Sequence, residues 1–310
     1  MSGVQVPLPL PSFESPNFGA FVFFMFLQKR KTAVQGLDFF IILWHNFILK
    51  KKDIVMQKPK VFLSDNDGTL TVARKPIRGE MAKTMVEFAN TFKFAIVTGS
   101  PYKDMVEQMP PELLHNPNID YWCCMGNILY NCGKELHNSR NSIDFDKFNP
   151  IMQDILKNCP IQYHKSFPRH HEINANCAIN FTMLGRPEVG EPSLEDRQEY
   201  VQWDSQNGQR KWIIDNLVEQ HPEYNFTYGG QISVDIVKKG CDKAQVVKHY
   251  KDDYQIVYFG DRIYKRGNDN SIAHEVVDCG GSIYSVSGPE ETMHIMQRLI
   301  QEEKDRLLSC

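Results

Sequence analysis

Three short apolar runs, each breaking off at polar residues, constrain this chain more than any other feature. Val61-Phe62-Leu63 runs into Asp65, Phe94-Ala95-Ile96-Val97 into Thr98-Gly99-Ser100, and Ile256-Val257-Tyr258-Phe259 into Gly260-Asp261. Uninterrupted apolar runs of this length, separated by helical patterns, are the mark of strands buried on both faces of a parallel sheet. The helical patterns are present. Met81, Met85, Phe88 and Phe92 recur at helical spacing, as do Tyr102, Met105, Val106 and Met109, and Pro289 opens a closing helix carrying Met293, Met296, Leu299 and Ile300. Open α/β sheets bind ligands at the carboxyl ends of their strands, which is where each run delivers its polar residues.

Between about residues 139 and 237 the pattern changes. Ile173, Ala175, Cys177, Ile179 and Phe181 alternate with Asn174, Asn176, Asn180 and Thr182, and Ile232, Val234 and Ile236 alternate with Ser233 and Asp235. Such alternation predicts half-buried strands with one polar face. Ser193 followed by Asp196 resembles a capping box, and Trp212, Ile213 and Leu217 give an apolar side to residues 209–219. The fold class read from this is α/β: a doubly wound parallel sheet core over 58–138 and 238–310, with an inserted α+β cap domain over 139–237. Residues 1–57 form an N-terminal extension whose apolar runs, 18–27 and 39–44, are each shorter than the roughly 18–20 residues of a membrane span. An interfacial or signal-anchor segment within 18–49 is the alternative reading. The Lys50-Lys51-Lys52 run reads as a solvated link.

A net charge of -3, from 35 basic and 38 acidic residues, gives no excess that would draw the chain to nucleic acid or an anionic membrane. Eight cysteines show no CxxC spacing, and Cys123-Cys124 has no cationic surroundings to lower a thiol pKa, so a reducing, cytoplasmic setting is expected. His170 and His171, adjacent on a strand, point to opposite faces and read as structural.

Chemistry concentrates in Ser64-Asp65-Asn66-Asp67-Gly68-Thr69-Leu70-Thr71. Two carboxylates one residue apart, just past a buried strand, can set one side chain against a phosphorus and the other against the ester oxygen. A plain Asx-type turn is the bland alternative. Gly260-Asp261 through Asn268-Asp269 supplies a second acidic cluster with the oxygen ligands a hard Mg²⁺ requires, and Lys243 offers a cation for a phosphoryl group.

The order DxDGT, a strand ending in Thr/Ser, a Lys, then GDxxxxxxND resembles the haloacid dehalogenase superfamily. More narrowly, Gly68-Thr69-Leu70-Thr71-Val72-Ala73-Arg74, Leu184-Gly185-Arg186, Gly229-Gly230-Gln231-Ile232-Ser233-Val234-Asp235 and the stretch from Phe259 to Asp269 resemble eukaryotic phosphomannomutase, from about Lys58 to the C-terminus. The resemblance implies that Asp65 attacks the phosphoryl group to form an aspartyl-phosphate while Asp67 serves as acid and then base. It implies Mg²⁺ held by Asp65, the backbone carbonyl of Asp67, Asp261 and Asp269, with Ser100 or Thr98 and Lys243 completing the phosphate cradle. Arg186 and Arg197 would grip the distal phosphate of a hexose phosphate, Arg74 would position the sugar phosphate, and Ser233 and Asp235 would meet sugar hydroxyls. A sugar 1,6-bisphosphate activator, a homodimer through the cap and a role in supplying GDP-mannose for glycosylation belong to the same implication.

Departures accompany it. Where the family carries Glu-Phe-Arg-Asn-Gly, this chain reads Glu172-Ile173-Asn174-Ala175-Asn176, so an arginine is missing and Arg169 is the nearest candidate substitute. The family's Glu-Asn-Gly turn is Cys124-Met125-Gly126, and Thr98-Gly99-Ser100 stands for Gly-Gly-Ser. Two alternatives to a mutase therefore stay open: a Mg²⁺-dependent sugar-phosphate phosphatase, and a non-catalytic sugar-phosphate-binding paralogue.

Overall fold

In chain order the elements are β1 (Lys60–Ser64), α1 (Gly79–Thr91), β2 (Lys93–Val97), α2 (Tyr102–Gln108), α3 (Pro111–Leu114), β3 (Ile119–Cys123), β4 (Ile128–Asn131), β5 (Lys134–Asn138), α4 (Phe145–Asn158), β6 (Arg169–Asn174), β7 (Ala178–Arg186), α5 (Leu194–Asn207), α6 (Gln209–Gln220), β8 (Tyr224–Gly229), β9 (Ser233–Lys238), a 3-10 segment (Lys243–His249), β10 (Gln255–Gly260), α7 (Asn270–Asp278), β11 (Ser282–Ser285) and α8 (Pro289–Leu308). This computed structural model describes residues 58–139 and 142–309. The apolar runs of the extension and its lysine run lie outside the described residues. Among the described residues no helix is long and apolar enough to cross a membrane.

One sheet has the order β11-β10-β1-β2-β3-β4-β5, parallel from β11 to β3 and antiparallel at β4 and β5. From β1 the chain winds outward through β2 and β3 on one side, then returns to β10 and β11 on the other. The reversal therefore falls between β1 and β10, and such a switch point opens a crevice at the carboxyl ends of the two strands. Burial on both faces accounts for the unbroken apolar runs. Phe62, Phe88, Phe94 and Phe259 interlock on one face, with the Phe62 and Phe88 rings edge to face at 4.8 Å. Val61, Leu63, Trp122, Tyr258 and Ile272 fill the other.

A second, antiparallel sheet has the order β6-β7-β9-β8. Its own core joins Phe148 and Met152 of α4 to Ile179 and Phe181 of β7, Ile236 of β9 and Ile214 of α6. Ser193 caps α5, accepting from the Asp196 backbone N at 3.0 Å, as the sequence spacing predicts.

Two sequence readings change. The alternation across 173–181 is not one strand: Ala175 and Asn176 adopt left-handed backbone (φ 48° and 59°) and turn the chain from β6 into β7. Alternation survives because the connection 175–177 has an odd number of residues, so partners such as Ile173 and Ile179 share parity and lie on one face. Val106, placed in the apolar stripe of α2, is instead half exposed, and Met105 with Gln108 forms the buried side. The histidines behave as expected, His170 meeting the Thr182 carbonyl at 3.0 Å and His171 lying against the Phe145 ring. The seven described cysteines are free, and burial pushes the Cys124 thiol up to about 12, which suits an inert core thiol.

Candidate active site

Backbone pairing carries β1 one residue past its end, where Asp65 N donates to Phe259 O at 2.9 Å. That bond holds the Asp65 carboxylate at the switch point beside β10. The chain then folds back sharply: the Asn66 carbonyl accepts from the backbone N of Thr69, Leu70 and Thr71, and Gly68 takes φ 101°. A Cβ on Gly68 would stand 2.5 Å from an Asp261 oxygen, so glycine keeps this cradle open.

Lys243 is wholly buried and bridges two of the carboxylates, donating to Asp65 at 2.5 Å and to Asp269 at 2.7 Å. Burial alone would lower its pKa, but Asp269 and Asp65 more than offset this and raise it, so the ammonium stays charged. Asp269, with no exposed surface, also accepts from the Tyr258 hydroxyl at 2.7 Å and from Arg262 N at 3.2 Å. Burial, opposed by Lys243 and reinforced by Asp269 and Asp261, holds the Asp65 carboxyl well above the usual range. Burial and then Asp269 push Asp261 the same way. Asp65, Asp261 and Asp269 can bring one oxygen each within 4.8 Å of one another. Asp261 Oδ1 and Asn268 Oδ1 are buried without a partner. Hard oxygen donors, an excess of negative charge over Lys243 and an orphaned carboxylate oxygen fit a divalent cation such as Mg²⁺.

Above this cradle the two sheets line a cleft that opens to solvent. Of the residues singled out in the sequence, Asp65, Asp67, Arg74, Thr98, Ser100, Arg186, Arg197, Ser233 and Asp235 line it, while Lys243, Asp261 and Asp269 lie in the cradle beneath. Asp67 accepts at Oδ1 from Arg74 N at 2.7 Å. The Arg74 guanidinium is engaged by Asp104 of α2 and, at 3.8 Å, by Glu172 of β6. Ser100 is buried, its backbone N held by Thr98 Oγ1 at 3.1 Å.

At the far end, Arg186 and Arg197 present buried guanidinium groups. Glu172 and Glu191 approach Arg186 Nε at 3.4 and 3.3 Å, but its Nη1 has no partner. Among the described residues Arg197 forms no ion pair and its buried Nε is unpartnered, and burial lowers its pKa against the pull of Glu191. Buried cationic donors left without acceptors call for an anion, and the planar fork matches phosphate oxygens.

Sequence reasoning missed several contributors. Asn180 Nδ2 donates to Ser233 Oγ at 2.8 Å and to Asp235 Oδ1 at 2.6 Å, while its Oδ1 accepts from Arg186 at 2.5 Å. It was visible as one polar residue of an alternating strand, but its register opposite Asp235 was not. Gly229 has no room for a side chain, since a Cβ there would sit 2.3 Å from Asp235 Oδ1. Arg262 reaches from the core to the Gly230 carbonyl of the second sheet, and Asn174 Nδ2 meets the Gly99 carbonyl at 3.1 Å. Arg169 does not take the place of the missing arginine. Its guanidinium is spent on the carbonyls of Pro187 and Gly190, both at 2.6 Å, and it does not line the cleft.

A carboxylate-bearing parallel sheet under an inserted antiparallel cap is the haloacid dehalogenase-like class. N-terminally truncated, IMP-bound IMP-nucleotidase of Plasmodium falciparum shares this fold at TM-score 0.52 and 18% identity, covering 79% of this chain and 68% of that one. SMU.1108c of Streptococcus mutans aligns at TM-score 0.51 and 12% identity, covering 78% and 99%. Within the class, the family model of eukaryotic phosphomannomutase matches residues 81–302. The phosphomannomutase of Saccharomyces cerevisiae is 31% identical over 252 residues, 78% of this chain and 95% of the yeast protein. A probable phosphomannomutase of Caenorhabditis elegans is 28% identical over 254 residues, 78% and 96%. The chain belongs to the eukaryotic phosphomannomutase family.

Proposed function

We propose that this chain is a phosphomannomutase that interconverts mannose 6-phosphate and mannose 1-phosphate through an aspartyl-phosphate and a sugar bisphosphate. The observation that carries this reading is the two-ended cleft, with Asp65 and Lys243 at one end and the uncompensated Arg197 with Arg186 at the other. A hydrolase needs one phosphate site. A mutase must hold a second phosphate while the first reacts.

Asp65 attacks phosphorus, the bond from phosphorus to the sugar oxygen breaks, and Asp67 gives its proton to that oxygen; on return Asp67 takes the proton of the incoming hydroxyl. Lys243 holds the Asp65 carboxylate in place and neutralises it, while Ser100 and Thr98 face the transferring group from the end of β2. Ser233 and Asp235, locked by Asn180, meet the sugar hydroxyls, and Arg74 orients the sugar phosphate. Asp65, the Asp67 backbone carbonyl, Asp261 and Asp269 would hold Mg²⁺, which when bound neutralises charge on the phosphoryl oxygens. The bonds between core and cap, from Arg262 to Gly230 and from Asn174 to Gly99, tie the cap to the cleft rim, where a closed cap would keep water from hydrolysing the aspartyl-phosphate. A catalytic sugar 1,6-bisphosphate activator, a homodimer through the cap, a cytoplasmic setting and a product destined for GDP-mannose complete the reading.

The test is incubation with Mg²⁺, mannose 1-phosphate and a catalytic amount of glucose 1,6-bisphosphate, with mannose 6-phosphate and inorganic phosphate quantified together. Bisphosphate-dependent mannose 6-phosphate with little free phosphate is the expected result, and chelation by EDTA should stop it. Free phosphate as the main product would instead support a phosphatase, a reading favoured by the carboxylates of Glu172 and Glu191 that already half-occupy Arg186.

Arg197→Ala should raise KM for mannose 1-phosphate roughly 10- to 100-fold, since a charge-assisted phosphate contact contributes about 1.5–3 kcal/mol. Its stability should not fall, because an unpaired buried charge is removed. An unchanged KM would take Arg197 out of the phosphate site.

A further inference from the structure

The oxygens of Asp67 are not equivalent. Oδ1 accepts from two donors, Arg74 N at 2.7 Å and Gln108 Nε2 at 3.0 Å. No described residue hydrogen-bonds Oδ2, although Asp67 lines the cleft. Gln108 is the last residue of α2, buried and away from the cleft lining. Its amide has one workable orientation: Oε1 accepts from Asn66 Nδ2 at 2.8 Å, so Nε2 faces the carboxylate, whereas the flipped amide would set oxygen against oxygen. Its backbone carbonyl also accepts from Ile77 N at 2.8 Å, which fastens the end of α2 to the segment following Asp67.

We infer that Gln108 is the positioning residue of the acid/base, and that Asp67 carries the transferred proton on Oδ2; this rests on the reading of Asp67 proposed above. With Oδ1 holding two N–H donors, a proton there would displace one of them, so the proton resides on the oxygen that faces substrate. Gln108 touches no reacting atom. It limits rotation of the carboxylate about its Cβ–Cγ bond, and the Oδ2 proton stays aimed at the sugar oxygen whose bond to phosphorus breaks as the bond from Asp65 to phosphorus forms.

A positioning role has a signature that a structural role lacks. Sugar oxygens are poor leaving groups and need the proton, whereas p-nitrophenolate departs without one. The experiment compares wild type and Gln108→Met on mannose 1-phosphate and on p-nitrophenyl phosphate, both in Mg²⁺. Expected for the variant is a fall in kcat of roughly 10- to 100-fold on the sugar phosphate, within the range acid–base groups contribute. KM should not change, and the single-turnover release of p-nitrophenolate, which precedes any step that needs Asp67 as a base, should stay within about twofold. Equal losses on both substrates, or no loss on either, would overturn the assignment. If Gln108→Met does not fold, Gln108→Asn keeps the amide one methylene short of Asp67 and should show the same split; parallel losses there would count against the proposal equally. If wild type only hydrolyses the sugar phosphate, the proposed mutase fails, yet the leaving-group comparison still decides the role of Gln108 on the rate of phosphoenzyme formation.

Discussion

Asp65→Asn is expected to abolish sugar-phosphate turnover, by roughly 10⁴-fold or more, and to abolish the acid-labile phosphoenzyme with it. Asparagine keeps the shape of the side chain but supplies no anionic oxygen to attack phosphorus. Stability should move the other way. Burial already disfavours the Asp65 carboxylate, and Lys243 keeps Asp269 as a partner at 2.7 Å, so removing one buried charge should leave the unfolding midpoint no lower in the absence of divalent cations. The measurements are turnover, trapping of labelled phosphoenzyme in acid, and thermal unfolding in EDTA. A variant that still turned over and still trapped label would remove Asp65 from the nucleophile role.

Lys243→Met should have the largest effect on stability. The wild-type ammonium is fully buried between Asp65 and Asp269, with Asp261 close by, and methionine would leave three carboxylates in a low-dielectric crevice with only the Arg262 guanidinium, 3.3 Å from Asp261, to offset them. Removing one partner of a buried ionic cluster costs about 3–5 kcal/mol. Urea unfolding should show that loss in EDTA and a partial recovery in Mg²⁺, since a ligand that binds only the native state at about 100 times its Kd adds about 2.7 kcal/mol. A loss below about 1 kcal/mol with no response to the cation would mean that the cluster is neutral and holds no metal.

Much of the core was legible because each run announced its own environment. A strand buried on both faces needs apolar residues at every position, and β1, β2 and β10 read that way; their polar ends had nowhere to lie but the carboxyl edge. The helical stripe of α1 was legible for a similar reason, since one of its faces packs against the sheet. The cap was harder. Alternation across 173–181 passed unchanged through a turn, and the alternation of β9 gave a polar face without showing what covers it. In fact Ser233 and Asp235 are buried, because the polar side of that strand roofs the cleft.

The arginines show the same limit. Arg169, Arg186 and Arg197 are indistinguishable as letters, yet Arg169 is consumed by two carbonyls while Arg197 is left buried without a counter-ion among the described residues. Side-chain reach and neighbouring acceptors decide which guanidinium is free, and both depend on the turn between β6 and β7 and on where the loop after β7 returns. Asn180 and Gln108 were invisible as site residues because their partners lie 53 to 55 and 41 to 42 residues away in the chain.

By itself the sequence determined the parallel sheet, the strand ends that carry Asp65 and Asp261, and the family, because local periodicity and short motifs are set by neighbours in the chain. Only the tertiary structure decided which cations remain unpaired, which oxygen of Asp67 is free and which polar strand face roofs the cleft. Those are properties of groups brought together across the switch point and from the cap, and no spacing along the chain encodes a distance through space.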